Sequence, residues 1–259
     1  MGHMDHFSAG WVTPVLSYAM AVVGSALGLR CTVRALEAEG VSKRNWLTLA
    51  SVAIGSGIWT MHFIAMMGFS VEGTPIRYDV PLTVLSLLMS VGVVAAGVFI
   101  AGYGRSRVTS VVFGGLGTGV GVAAMHYTGM AALNLHGKVD YDPMLVIASV
   151  VIAVVAATAA LTLTLVVRGP VLATAAALVM GLAVSSMHYT AMYAVSIDLA
   201  PSSAGLAGAT PTEFIFPLAV VLGSFLFLAA AYVALSPTGK RHESAIAAEL
   251  LREVELTTA

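Results

Sequence analysis

Three histidines recur in this 259-residue sequence, each followed at the same offset by a methionine. They stand in Met61-His62-Phe63-Ile64-Ala65-Met66, Met125-His126-Tyr127-Thr128-Gly129-Met130 and Met187-His188-Tyr189-Thr190-Ala191-Met192, spaced 64 and 62 residues apart. Residues four apart on a helix share a face. The pairs His62/Met66, His126/Met130 and His188/Met192 therefore each point one way. Met61, Met125 and Met187 precede the histidines by one residue, about 100° round the helix, where they flank the same site or simply pack.

Ionisable groups inside a membrane are rare and face a bundle interior or a cavity. One such histidine alone reads as a hydrogen-bonded core residue, and one methionine as a gap-filler. Duplication explains why three copies look alike. It does not explain why a polar ring stands three times among apolar residues, whereas a shared binding site does. Imidazole and thioether without thiolates or clustered carboxylates disfavour Mg²⁺ and Ca²⁺. Structural zinc would normally bring cysteine. Thioether selects Cu(I), and imidazole suits copper too. Copper, as Cu(I), is the first expectation. Haem, held by His–His or His–Met axial pairs, is the second. Tyr127 and Tyr189 either pack in the core or serve as outer donors to the histidine rings or to a bound diatomic gas. Phe63 occupies that place in the first copy, so the role is not three-fold. No Ser-His-Asp, paired-carboxylate or HExxH arrangement is visible, so the chain reads as no enzyme.

The elements that position these side chains are membrane helices. The chain is 58 % apolar and 10 % charged, with a mean hydropathy of +0.93, whereas soluble domains are about 45–50 % apolar and about 25 % charged. This excludes an ordinary cytosolic enzyme, a nucleic-acid binder and a disordered regulator, and makes the lipid bilayer the first partner. The single cysteine, Cys31, excludes an internal disulfide framework and a multi-cysteine metal site. There is no signal peptide of the usual form.

A spanning helix needs about 20 apolar residues. Seven stretches qualify, at roughly 13–33, 46–68, 81–102, 109–134, 143–167, 170–195 and 213–235. The fold class is all-α: a polytopic bundle of seven transmembrane helices, built as three tandem helical hairpins plus a seventh helix. Weak echoes among the odd helices, Leu16-Ser17, Leu85-Ser86 and Ala148-Ser149, support the two-helix repeat. With the N-terminus outside, ten of the twelve basic residues are cytoplasmic and only Arg77 and Lys138 are external. The orientation is N-out, C-in. Residues 1–12 are then an extracytoplasmic N-terminus, in which 1–3 read partly as an added leader, and 236–259 a cytoplasmic tail with helical spacing over 246–254. The external Asp5, Glu72, Asp79, Asp140, Asp142, Asp198 and Glu213 read as solvated loop residues, or else as a weak attraction for cations. The motif helices all run outward, each histidine about ten residues, or roughly 15 Å, before the exit. Gly24/Gly28 and Gly117/Gly121 have the spacing of close helix packing.

The tetrapeptide Met-His-Tyr-Thr stands verbatim at 125–128 and 187–190, with Met-His-Phe-Ile at 61–64. In this the sequence resembles the bacterial MHYT family of integral membrane sensor domains, over about residues 10–235. The resemblance implies an inner-membrane protein that holds one or two copper ions near the outer face through Met and His and senses O₂, CO or NO. Carried over, the positions are Met61, His62, Met125, His126, Met187 and His188, with Tyr127 and Tyr189 in support. Many members of that family continue into a cytoplasmic diguanylate cyclase, phosphodiesterase or kinase. This chain ends after a tail of about two dozen residues, as a stand-alone or truncated member. Signalling then calls for a partner in the membrane or at the tail. The leading expectation is a copper-binding sensor, with a copper or haem redox enzyme and a copper uptake or delivery protein as alternatives.

Overall fold

The computed structural model describes residues 4–5, 8–167, 169–200 and 205–236; the helical spacing noted over 246–254 falls outside them. Seven helices long and apolar enough to cross a membrane carry the fold. They are α1 (Val12–Glu37), α2 (Gly40–Met66), α3 (Val80–Tyr103), α4 (Arg107–Ala131), α5 (Pro143–Val166), α6 (Pro170–Tyr193) and α7 (Phe216–Leu235), the last entered through a π-helical turn at Pro211–Ile215. Each of the first six packs on its neighbours in sequence, and α6 returns to α1, so three hairpins close into a ring. Helix α7 lies outside the ring against α1 and α2. As a result α2 is enclosed, and every residue from Gly55 to Met66 is buried. Apolar side chains such as Val151, Val155, Phe227 and Leu228 cover the exterior, as lipid requires.

Short strands complete each hairpin. They are β1 (Met4–Asp5), β2 (Ser70–Val71), β3 (Arg77–Tyr78), β4 (Leu133–Asn134), β5 (Gly137–Tyr141) and β6 (Val195–Leu199). They pair antiparallel as β1–β2, β3–β4 and β5–β6. Each strand before an odd helix thus joins the strand after the next even one, and the repeat is a βααβ unit. The three ribbons close one end of the ring. At the other end are the interhelix turns and Arg30, Arg34, Lys43, Arg44, Arg105 and Arg107. Among the described basic residues, only Arg77 and Lys138 belong to the ribbon end.

The helix ends differ from expectation for identifiable reasons. Helix α2 starts at Gly40, not near 46, because Lys43 and Arg44 continue the helix past its apolar stretch. The motif helices end at Met66, Ala131 and Tyr193, two or three residues early, because the chain must turn into the ribbons. Three acidic residues of this end have a structural duty. Asp79 accepts from Leu82 N at 2.8 Å, and Asp142 from Met144 N and Leu145 N at 2.8 and 3.1 Å. Glu213 forms a capping box with Thr210. Each satisfies orphan amides at a helix start.

Close packing holds at α1–α2, where a Cβ on Gly24 would stand 2.9 Å from the Cα of Gly57. The second expected pair is corrected. Gly117 faces open space, while Gly115 and Gly119 press on Thr158 and Val154 of α5, and Gly121 on Val93 of α3. Two residues apart on a helix differ by about 200°, so Gly115 and Gly117 cannot face the same neighbour.

Candidate metal centre

Helices α2, α4 and α6 run side by side toward the ribbon end and carry the three histidines at one level. His62 is four residues from the last residue of its helix, and His126 and His188 are five from theirs, about 6–8 Å of helix rise. The site is therefore shallower than the 15 Å expected: the helices end two or three residues early, and the expected spans themselves already placed the histidines six to eight residues from their ends.

The three imidazoles converge on the ring axis. Nδ1 of His62 is 3.0 Å from Nδ1 of His188 and 3.1 Å from Nδ1 of His126. The ring centroids are 4.7, 5.0 and 5.2 Å apart, with rings edge to face. All three side chains are buried. A neutral imidazole has one N–H and one lone pair. Nδ1 of His62 faces two other Nδ1 atoms, and with a single proton or a single lone pair it serves one of them fully and the other only by sharing. Nε2 of His62 is buried without a hydrogen-bond partner, as is Nε2 of His126. A buried polar group normally has a partner. Here proton placement alone leaves the cluster partly unsatisfied. A cation taking three lone pairs resolves the contact between the Nδ1 atoms. Three nitrogens about 2.0 Å from a metal stand roughly 3.5 Å apart in a trigonal array, a few tenths of an ångström beyond the spacing here.

The six methionines divide into two layers. Met66, Met130 and Met192 form one buried cluster with Phe69, Val71, Val195 and Ile197, one helical turn from the histidines on the ribbon side. Met125 and Met187 belong to the main core with Trp59 and Phe63, and Met61 is buried as well. Gly129 makes the space for His62, since a Cβ there would stand 2.7 Å from its Nε2.

The tyrosine rings touch the preceding histidines edge to face, with centroids 5.0 Å apart, while their hydroxyls are bonded elsewhere. The hydroxyl of Tyr127 meets Ser149 Oγ at 2.8 Å, and Tyr189 bonds to Ser17. In the first repeat Trp59, one turn before Phe63, donates Nε1–H to Ser86 Oγ at 2.9 Å. Each serine gives its own proton to a carbonyl one turn back: Ser17 to Pro14 at 2.9 Å, Ser86 to Thr83 at 2.7 Å and Ser149 to Val146 at 2.7 Å. Each oxygen is then left to accept. Every motif helix is thereby bonded to the first helix of the next hairpin, and the three bonds together close the ring. The serines were visible in sequence as the weak echo of the odd helices. Gly129 carried no such signal, because a glycine in a membrane helix reads as ordinary packing.

The sequence pattern described as the bacterial signalling protein N-terminal repeat, MHYT, matches residues 55–114 and 119–177. The chain belongs to the MHYT family. The third MHYT copy lies outside the matched stretches, yet its His188 completes the cluster. The chain is 39 % identical over 202 residues to the bifunctional diguanylate cyclase/cyclic di-GMP phosphodiesterase MucR of Pseudomonas aeruginosa, a match covering 76 % of this chain and 29 % of that protein. It is 31 % identical over 204 residues to the cyclic di-GMP phosphodiesterase NbdA of the same organism, covering 73 % and 26 %. To the signaling protein YkoW of Bacillus subtilis it is 29 % identical over 204 residues, covering 72 % and 24 %. The chain thus spans under a third of the length of these relatives. No solved structure matches it. As an MHYT protein it is a membrane-embedded signalling sensor domain.

Proposed function

We propose that this MHYT domain senses through copper held by His62, His126 and His188. The reading rests on one observation: the buried Nδ1 of His62 lies 3.0 and 3.1 Å from the Nδ1 atoms of His188 and His126, which brings three imidazole nitrogens within reach of one ion. The donor set favours Cu(I), because neutral imidazoles and nearby thioethers carry no compensating negative charge and suit a soft, singly charged ion. Met66, Met130 and Met192 stand beside the cluster as further soft donors. Rings in edge-to-face contact favour a single ion over a macrocycle such as haem. Bound copper supplies a coordination position for O₂, CO or NO. The protein's own residues hold the imidazoles in register through the serine bonds. The methionine layer and the ribbons keep water from the ribbon side.

The ribbon end is external on this reading, since the opposite end carries most of the described basic residues. The output is mechanical rather than catalytic. Arg34 of α1 donates to the carbonyls of Val233 and Ser236, at 2.6 and 3.0 Å, and lies over the Trp46 ring of α2. It ties the end of α7 to the first hairpin, so a shift of α2 reaches the point where the chain leaves the membrane. By analogy with MucR and NbdA, the recipient is an enzyme of cyclic di-GMP turnover.

Metal analysis with an optical spectrum tests the site. The purified protein is expected to hold copper, and His126→Ala with His188→Ala to lose it. Stoichiometric copper in the double variant would sink the proposal. A membrane-impermeant thiol reagent tests the orientation: in intact cells it is expected to label Asp198→Cys and not Arg105→Cys.

A further inference from the structure

One turn farther from the ribbons than each histidine stands a branched apolar residue: Ile58, Val122 and Val184. Two turns away stand Ile54, Thr118 and Met180. These are the same faces of the same three helices. All six line a cavity of about 70 Å³. Helix α5 forms its far wall with Ala153, Ala156, Ala157 and Ala160. The space exists because these side chains are methyl groups where a bundle core would ordinarily carry Leu or Ile.

The wall is almost wholly apolar. Its polar residues are Ser25, Thr118 and Thr164. Thr164 gives its hydroxyl proton to Leu161 O at 2.7 Å, and Thr118 to Val93 O at 3.4 Å. A buried water needs about two to four polar partners, and an apolar cavity of ~150 Å³ stays dry and takes up benzene or xenon. A cavity half that size has room for a molecule of two or three heavy atoms.

We propose that this cavity is a dry chamber that holds one small apolar molecule, of the size of a diatomic gas, directly beneath the histidine cluster. Ile58, Val122 and Val184 form the partition between the chamber and the imidazoles. The ribbons and the methionine layer cover the other side, so a ligand that dissolves in lipid is favoured over one that arrives through water. Charged or strongly polar ligands of equal size are refused, because they would lose their hydration without gaining hydrogen bonds. The chamber's role in sensing rests on the copper reading above; its occupancy by an apolar molecule does not.

Xenon is the probe, applied under pressure to the full chain in lipid nanodiscs, free of metal, with methyl resonances as the readout. Saturable shifts are expected at Ile58, Val122 and Val184, and only weak, linear ones at the lipid-facing Val151 and Val155. Ala157→Leu fills the chamber and should weaken xenon binding at least ten-fold. Ile54→Ala enlarges it and should strengthen binding, which keeps the test decisive if the filled variant does not fold. Azide, small but charged, should leave the chamber methyls unmoved. Linear shifts throughout, undiminished binding in Ala157→Leu, or azide shifts matching those of xenon would overturn the proposal. Copper content is measured on the same samples after reloading. Xenon binding without copper retention removes the metal reading alone, and copper retention without xenon binding removes the chamber alone.

Discussion

The first hairpin and the other two meet the same geometric demand with different residues. In the second and third, the tyrosine beside the histidine reaches a serine on the next hairpin. In the first, phenylalanine stands beside the histidine, and the indole of Trp59 makes the bond from one turn away. The surroundings explain the exchange. Helix α2 is enclosed by its neighbours and by α7, and Trp59 is fully buried. Tyr127 and Tyr189 are only half-buried, on helices with one face toward lipid, where an apolar ring with a polar tip suits a mixed environment. Three-fold repetition is therefore kept at the histidines and the serines and relaxed between them. The bond between hairpins is what repeats, and its donor follows the local burial.

The comparison extends to the histidines themselves. His62 is in hydrogen-bond reach of both other histidines. Replacing it should break the cluster at its hub, whereas removing His126 or His188 leaves a pair. His62→Ala is expected to weaken copper binding by more than the roughly 10–100-fold that loss of a supporting residue costs, and by more than His126→Ala. Competition titration with a Cu(I) chelator ranks the variants, and equal losses would dissolve the distinction. Gly129→Ala comes next. Its new methyl meets Nε2 of His62 at 2.7 Å and Phe63 Cζ at 3.3 Å, so the ring must turn. Copper affinity should fall about 10–100-fold, and overpacking should cost about 1–3 kcal/mol. The corresponding positions of the other repeats, Ala65 and Ala191, already carry that methyl. Ala191→Gly should leave copper affinity nearly unchanged.

The amino-acid pattern made some of this legible and hid the rest. Length and hydropathy mark where lipid lies, so all seven helices were readable. Their ends were not, because Lys43 and Arg44 extend α2 into water while still helical. The histidine–methionine register was readable from the four-residue offset, which any helix converts into a shared face. The ribbons were not, since strands of two residues such as Ser70–Val71 are too short to show a period. Nor were the partners of Tyr127 and Tyr189. Their adjacency in sequence to a histidine suggested a donor to that ring. Adjacent residues diverge by about 100° on a helix, and that rotation sends the hydroxyls to the neighbouring hairpin.

The bonds between hairpins provide a smaller test. Trp59→Phe keeps an aromatic ring but loses part of a fully buried side chain and the donor to Ser86, and should cost about 1–3 kcal/mol. Tyr127→Phe keeps the ring and loses one interhelical bond, which in membranes averages about 0.6 kcal/mol. Thermal unfolding in a fixed detergent would separate the two. A Tyr127→Phe loss as large as that of Trp59→Phe would mean that the bonds, not the ring burial, hold the hairpins together.

The smallest effect is expected where the third hairpin departs most visibly from the first. Its ribbon has five residues in each strand where the first has two, and it carries an ion pair between Lys138 Nζ and Asp140 at 2.5 Å. The hydrogen bond and the charge of Asp140 push the Lys138 ammonium up from its ordinary range. A raised lysine contributes stability below its unfolded-state range and loses it as pH climbs through the folded one. Any contribution would therefore fade only in alkaline solution. Both partners are exposed, however, and exposed pairs are screened by water and salt. Lys138→Gln should leave the unfolding temperature unchanged within error at neutral pH. A clear drop, abolished by salt, would show that the longer ribbon secures the third hairpin through charge. The expected silence instead leaves the backbone pairing and the buried faces of Val195 and Ile197 as what distinguishes this ribbon from the first.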